Sequence, residues 1–231
     1  MRIVRFATLL TLAAAVLNQL LRPRLMRWGA TLEECAQALP GDGLVPGAGG
    51  RSTMATTIDA PPSAVWPWLV QMGTGRGGFY SWDRLDNGGH PSAGQIVPEW
   101  QDLEVGGRIW AVPDKNWFDV VELDPQRTLV LRSAISLADG TSYDPAAGAP
   151  KKHLDGVWSF HLRPLAQDRT RMVIRSEGTG RPRLVNDIVG WLFFTNAHWI
   201  MQTKQLTELK RRAEKSAPVT DKLASTNGAR A

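Results

Sequence analysis

The sequence predicts an α+β fold: a curved antiparallel sheet wrapped on a long C-terminal helix, with an internal cavity between them. Three observations carry this expectation. Strand-like runs separated by turn chemistry fill the middle of the chain: STMATTIDA, RIWAVP, WFDVVELD, RTLVLRS, VWSFHLRP and TRMVIRSEG. Within VWSFHLR, Trp158, Phe160 and Leu162 alternate with Ser159, His161 and Arg163, the period of two expected of a sheet covered on one side. The one long helical pattern, 184–215, comes last, with Val185, Ile188, Val189, Leu192, Trp199, Ile200 and Leu206 at helical spacing.

The elements follow in chain order. MRIVR is basic and leads into FATLLTLAAAVL, Phe6 to Leu17, which carries no charge. Read over residues 3–21, this run is expected to be an uncleaved transmembrane helix or membrane anchor held at both interfaces by flanking arginines. An N-terminal helix packed on the domain, in a cytoplasmic protein, is the alternative. A cleaved secretory signal fits less well, because Ala13 to Ala15 would cut its apolar core short. Thr31 to Leu39 reads as a short helix, with Thr31 and Glu34 in capping-box spacing. PGDGLVPGAGG then reads as a turn-rich linker. After the first strand, Ser63 to Met72 is expected to be a short or kinked helix, since Pro67 lacks the N–H that an interior turn uses. Asp124-Pro125 and Gln167-Asp168 mark hairpin connections.

Composition narrows the function classes. With 231 residues, 43% hydrophobic and 21% charged, the chain can bury one sizeable core. The net charge of +5 does not point to nucleic acid: Arg2, Arg5, Arg22, Arg24 and Arg27 all precede the first acid, Glu33, and no nucleic-acid-binding module follows. Cys35 is the single cysteine, so no intrachain disulfide forms. The histidines His90, His153, His161 and His198 show no metal-ligand spacing, and no metal or cofactor is expected. G-x-S-x-G is absent, and the glycines near residue 75 follow a helix where a phosphate loop would precede one.

The stretch RGGFYSWDRLDNGG, Arg76 to Gly89, sets three rings beside two carboxylates and an amide, with paired glycines at both ends. Large rings are mostly buried, and such a cluster reads as the lining of a cavity mouth. The ligand-binding residues expected from it and from neighbouring elements are Trp66, Phe79, Tyr80, Trp82, Asp83, Asn87, Glu99, Trp158, Phe160 and His198. Tyr80, Asp83, Glu99 and His198 are also the acid and base candidates, each beside apolar neighbours that shift a pKa. The plainer reading is that Asp83 caps a helical turn and Glu99 pairs with an arginine such as Arg76.

The element order resembles the helix-grip fold of the START and birch-pollen-allergen superfamily, also called SRPBCC. WGATLEE and LPGD (28–42), APPSAVWPWLVQMG (60–73), RGGFYSWDRLDN (76–87) and PEWQDLEVG (98–106) together resemble an uncharacterised, polyketide-cyclase-like bacterial branch of it. The chain departs from that pattern at Trp82, Asp86 and Gly107, where tyrosine, glutamate and aspartate would be expected. Members of the superfamily bind lipids, sterols and aromatic ligands, and some cyclise or dehydrate polyketides; a fold alone does not choose among these. The implied organisation is an apolar N-terminal segment over 1–28, a short helix and linker over 29–50, a helix-grip domain over 51–215 and a disordered tail over 216–231. Three function classes stay open: a carrier or sensor of an apolar small molecule, a cyclase or dehydratase acting on one, and an interaction module with a filled core.

Overall fold

The computed structural model describes residues 19–183 and 195–217. The apolar run 6–17, the helical positions 185–192 and the tail beyond 217 lie outside the described residues. A short helix, α1 (Leu32–Ala36), precedes strand β1 (Gly49–Ile58) and helix α2 (Pro62–Val70). One helical turn, α3 (Asp83–Asp86), leads through the Pro98–Trp100 turn to strands β2 (Arg108–Val112), β3 (Asn116–Asp124), β4 (Thr128–Ser136), β5 (His153–Leu165) and β6 (Arg169–Arg181). Helix α4 (Thr195–Ser216) closes the described chain. The strands form one curved, open antiparallel sheet in the order β1-β6-β5-β4-β3-β2, and α4 packs against β1 and α2.

No helix among the described residues is long and apolar enough to cross a membrane. This overturns the expected transmembrane and membrane-bound reading of residues 3–21. The described part of that stretch is short, a helical segment over 19–25 with Leu20 and Leu21 exposed.

The period of two decides what each face of the sheet carries. Leu129, Phe160 and Ile174 stand abreast across β4, β5 and β6, and Met54 continues the row on β1. All of these are buried, and with Leu69 and Met72 near α2 and Leu206 and Leu209 on α4 they form the main core. Two residues along each strand the next row is Leu131, Trp158, Ser176 and Ser52, and beyond it Ser133, Gly156 and Gly178. Side chains therefore shrink along the concave face, from a full core at one end to almost none at the other.

The opposite face is not left to water. Ser159 and His161, expected to face outward, are buried, because residues 34–45 lie across that face. Val45 packs with Val130 and Val157 there, and a Cβ on Gly41 would lie 3.0 Å from Val130 Cγ1, so the chain passes as close as glycine permits. Arg175, 1% exposed, pins this cover. Its Nε donates to Thr53 Oγ1 (3.1 Å), Nη1 to Gln37 O (2.9 Å) and Asp42 Oδ2 (2.7 Å), and Nη2 to Glu34 O (2.7 Å) and Cys35 O (3.3 Å). Glu34 closes the capping box on Thr31 and also takes both branches of the Arg171 guanidinium, at 2.8 Å each, which holds its carboxyl below the usual range. The free edge of β1 is met as well: Thr53 N–H donates to Met26 O and Ala55 N–H to Trp28 O, which removes an edge that could template pairing.

Replacing Arg175 with methionine should cost about 3 to 5 kcal/mol, because the carbonyls of Glu34, Cys35 and Gln37 would lose their shared donor and half-buried Asp42 would keep only Leu39 N–H (3.1 Å) and the more distant Arg51 (3.7 Å). Urea melting measures it; a loss under about 1 kcal/mol would show that the cover is held by other contacts. His161 gives a pH signature. Burial, then the neighbouring Arg175, pushes its pKa down to about 4 from 6.5, while Asp42 pulls it up and Arg163 lowers it further. The unfolded chain therefore binds a proton between pH 6.5 and 4 that the native chain refuses, so stability rises with pH across that window, by up to about 3 kcal/mol. His198 acts in the same direction and Asp86 in the opposite one, so the effect is read as the difference between wild type and His161→Gln. That difference should change between pH 4 and 6.5 and be flat above it.

Candidate functional site

The concave face, α4 and the segment 79–86 border a half-open cavity of about 580 Å³. It lies over the part of the sheet where side chains are small. Ser133, Gly156 and Ser176 form its floor, with Trp158, Phe118, Ala111 and Val112 alongside. From the 79–86 segment come Phe79, Ser81, Leu85 and Asp86; from α4 come His198, Met201, Gln202 and Gln205. The α4 positions are spaced i, i+3, i+4 and i+7, one face of a helix. Three rings build a wall: Phe118 and Trp158 have centroids 5.5 Å apart, with Phe79 6.1 Å from the first and 6.2 Å from the second.

Phe79 reaches this wall because the chain reverses just after it. Tyr80 has φ +58°, a region that few residues other than glycine occupy. Its side chain turns away from the cavity into the core, edge-on to Trp68 at 5.9 Å, and its hydroxyl accepts from Gln71 Nε2 at 3.0 Å. Burial pushes the Tyr80 pKa up, out of reach of proton transfer near neutrality. The glycines flanking the rings allow this close fold. A Cβ at Gly77 would lie 2.6 Å from the Tyr80 hydroxyl and 2.7 Å from Gln71 O, and one at Gly78 would lie 2.5 Å from Ser92 Oγ.

Of the residues expected at the site, the structure brings Phe79, Trp158 and His198 to the cavity. Phe160 stands one row deeper in the full core, 4.7 Å from the Trp158 ring centroid. Trp66 is half-buried against the core on α2. Trp82 is 47% exposed and lies under the Lys204 ammonium. Asp83 accepts from the N–H and hydroxyl of Ser92 (3.1 and 2.6 Å), so it fastens the 83–92 loop and makes no helix cap. Asn87 is buried with its amide donating to His90 O. Glu99 is exposed, and the carboxylate that pairs with Arg76 is that of Asp102, at 2.9 Å. The Arg76–Gly89 segment thus spends most of its polar groups on its own shape.

The polar groups that do line the cavity divide into two kinds. Trp158 Nε1 donates to Gln202 Oε1 (3.0 Å), Gln202 Nε2 to Gln205 Oε1 (2.6 Å), and Gln205 Nε2 to Phe79 O (2.9 Å). This relay satisfies its members and fixes the ring wall against α4. Ser81 donates to Met201 O at 3.1 Å, and His198 Nε2 lies 3.3 Å from Ser52 Oγ. Burial lowers the His198 pKa to about 4, so it is neutral near pH 7. Asp86 differs: both carboxylate oxygens are shielded from water and neither has a hydrogen-bond partner. Ser81 is near enough to temper its pKa, but burial, then the charge of Asp83, pushes Asp86 up to about 6. Among the described residues no group of three or more His, Cys, Asp or Glu side chains is placed to hold a metal ion.

Sequence reasoning missed Asp86, although it is the second carboxylate of a segment already singled out. Its spacing from Asp83 gave no sign of which carboxylate would be occupied. The α4 face Met201, Gln202 and Gln205 was legible in principle as a stripe continuing from His198.

No family model matches this sequence, and no curated protein matches it. Solved structures do. MLL2253 from Mesorhizobium loti is 15% identical, covering 73% of this chain and 100% of its own, with a TM-score of 0.42. CalU16 from Micromonospora echinospora is 18% identical, covering 72% and 85%, with a TM-score of 0.33. DynU16, from the dynemicin biosynthetic locus, is 14% identical, covering 70% and 48%, with a TM-score of 0.40. At these identities and scores the likenesses carry no argument about ligand or chemistry, which must come from the cavity itself.

Proposed function

We propose that the protein binds an apolar, ring-bearing small molecule, of lipid-like or polyketide-like character, in the cavity between sheet and α4. The observation that supports this is the empty volume of about 580 Å³ beside a wall of three rings. Natural ligand sites have volumes of roughly 300 to 1,000 Å³ and are lined mostly by apolar groups with a few polar ones. An interaction module with a filled core would have closed that space, since interiors otherwise pack to crystal-like density. Phe79, Trp158 and His198 are the ligand contacts on this reading.

A cyclase or dehydratase acting on such a molecule is the second reading, favoured by Asp86. A carboxylate whose pKa is raised to about 6 inside a largely apolar cavity suits proton transfer near neutral pH. The two readings separate on the fate of the bound molecule. Native mass spectrometry of protein from its own host should reveal a retained small molecule. If it is converted by wild type and Asp86→Asn slows conversion by about 10² or more while binding persists, the enzyme reading prevails.

Binding itself is checked with Nile red, a neutral dye without hydrogen-bond donors. It should bind with roughly one equivalent per chain and blue-shifted emission, and quench the fluorescence of Trp158. Ser176→Phe, which fills the floor, should weaken it by at least about tenfold, the worth of about 1.4 kcal/mol. Unchanged affinity in a folded Ser176→Phe protein would place the dye elsewhere and sink the reading.

A further inference from the structure

The charge inside the cavity is one-sided. Among the described residues that line it there is no lysine or arginine, and Asp86 is the one carboxylate. The neighbouring charge that acts on Asp86 is Asp83, which is also negative. His198 supplies no compensating charge, because burial keeps it neutral near pH 7. Lys204, beside the Trp82 ring, is already paired with Glu208 at 2.8 Å, and Arg84 of α3 is exposed. Both Asp86 oxygens are cut off from water and lack a donor, an arrangement costly enough that buried charges are ordinarily paired. The other amide and indole groups of the wall are spent within the Trp158–Gln202–Gln205–Phe79 relay.

Resting on the small-molecule reading above, we infer that Asp86 is the anchor for a cationic group, and that the ligand is an apolar amine: a ring-bearing hydrocarbon carrying a protonated nitrogen. An ammonium supplies the donor and the charge that the carboxylate lacks, once the side chain turns its shielded oxygens toward the cavity. Phe79, Phe118 and Trp158 offer ring faces and apolar contact to the rest of the molecule, and a ring face also attracts a desolvated cation. A bare metal ion does not fit, since among the described residues no group of three or more His, Cys, Asp or Glu side chains is placed to hold one. A neutral hydroxyl would meet the need for a donor but leave the negative charge of the cavity uncompensated. The raised pKa of Asp86 has the same origin, and a bound cation would reverse it.

The test is a matched pair of fluorescent probes, 1-pyrenemethylamine and 1-methylpyrene, titrated at pH 7 to 7.5 against wild type, Asp86→Asn and Asp86→Leu, with thermal melts of each. The amine should bind wild type at least roughly tenfold more tightly than the hydrocarbon, the yield of one charge-assisted hydrogen bond. Both variants should bring the amine down to the level of the hydrocarbon and leave the hydrocarbon within about twofold of wild type. They should also melt no lower than wild type, because Asp86 makes no bond that folding needs. Equal affinities of the two probes for wild type would overturn the inference while leaving the cavity reading intact. Lower melting, with both probes weakened together, would make Asp86 a structural residue and overturn it as well. Failure of either probe to bind wild type at all would remove the cavity reading along with the inference.

Discussion

The guanidinium of Arg175 is the interaction on which the rest of this architecture depends. A sheet that leaves a cavity on its concave face gives up the dispersion contacts that would otherwise fill that space. The stabilisation must come from elsewhere. Arg175 reaches through the convex face and collects backbone oxygens from Glu34, Cys35 and Gln37 together with the Asp42 carboxylate. It therefore holds residues 34–42 against a face that the strands alone would leave wet. Val45 then packs on Val130 and Val157, and Glu177 takes Gly43 N–H and the Arg51 guanidinium. With its back packed and its register fixed, the sheet has support that does not come from its concave side. That is the condition for a preformed site.

Most of the fold was legible in the sequence, and the reason is the period of two. Each run read as a strand became one, because an apolar row such as Trp158, Phe160 and Leu162 has no stable place except under a helix. The capping box at Thr31 and Glu34 was equally local, and it formed with both of its hydrogen bonds. The second covered face was illegible for the opposite reason. Ser159, His161 and Arg175 carry the polarity of a solvent-facing row, yet they are buried because an irregular stretch supplies their partners. PGDGLVPGAGG looks like a connection since its glycines and prolines signal turns. What they also permit is close approach, as at Gly41 with φ +95° against Val130. The membrane reading of residues 3–21 rested on hydropathy and on the flanking arginines, and no helix among the described residues is long and apolar enough to cross a membrane.

The site was legible in part, and the missing piece is a backbone angle. Phe79, Tyr80 and Trp82 look equivalent as sequence, three rings near a glycine pair. The positive φ of Tyr80 sends neighbouring rings to different places: Phe79 to the cavity wall, Tyr80 down to Trp68 and Gln71, Trp82 out to Lys204. Composition does not report a sign of φ at a residue other than glycine. The same holds for the carboxylates. Asp83 and Asp86 sit on one turn, but the hydroxyl and N–H of Ser92 come to Asp83 from farther along the loop, and only this tertiary contact tells the occupied acid from the open one.

On the proposed reading, the difference between these two acids bears on how the cavity selects its occupant. A wall whose polar groups are closed among themselves, as Trp158, Gln202 and Gln205 are, presents an apolar surface even though it contains amides. Such a wall discriminates weakly, since each added or missing methylene in an apolar pocket changes binding by only about 1 to 3 kcal/mol. Discrimination on that surface must come from a group left unpaired, because a ligand that fails to meet it forgoes the interaction while still desolvating the site. On the proposed reading Asp86 is that group: its backbone sits on a turn tied down by Asp83 and Ser92, and its shielded carboxylate has only to turn toward the cavity to meet a ligand. On that reading the closed relay and the unpaired carboxylate divide the work of shape and chemical choice between α4 and α3.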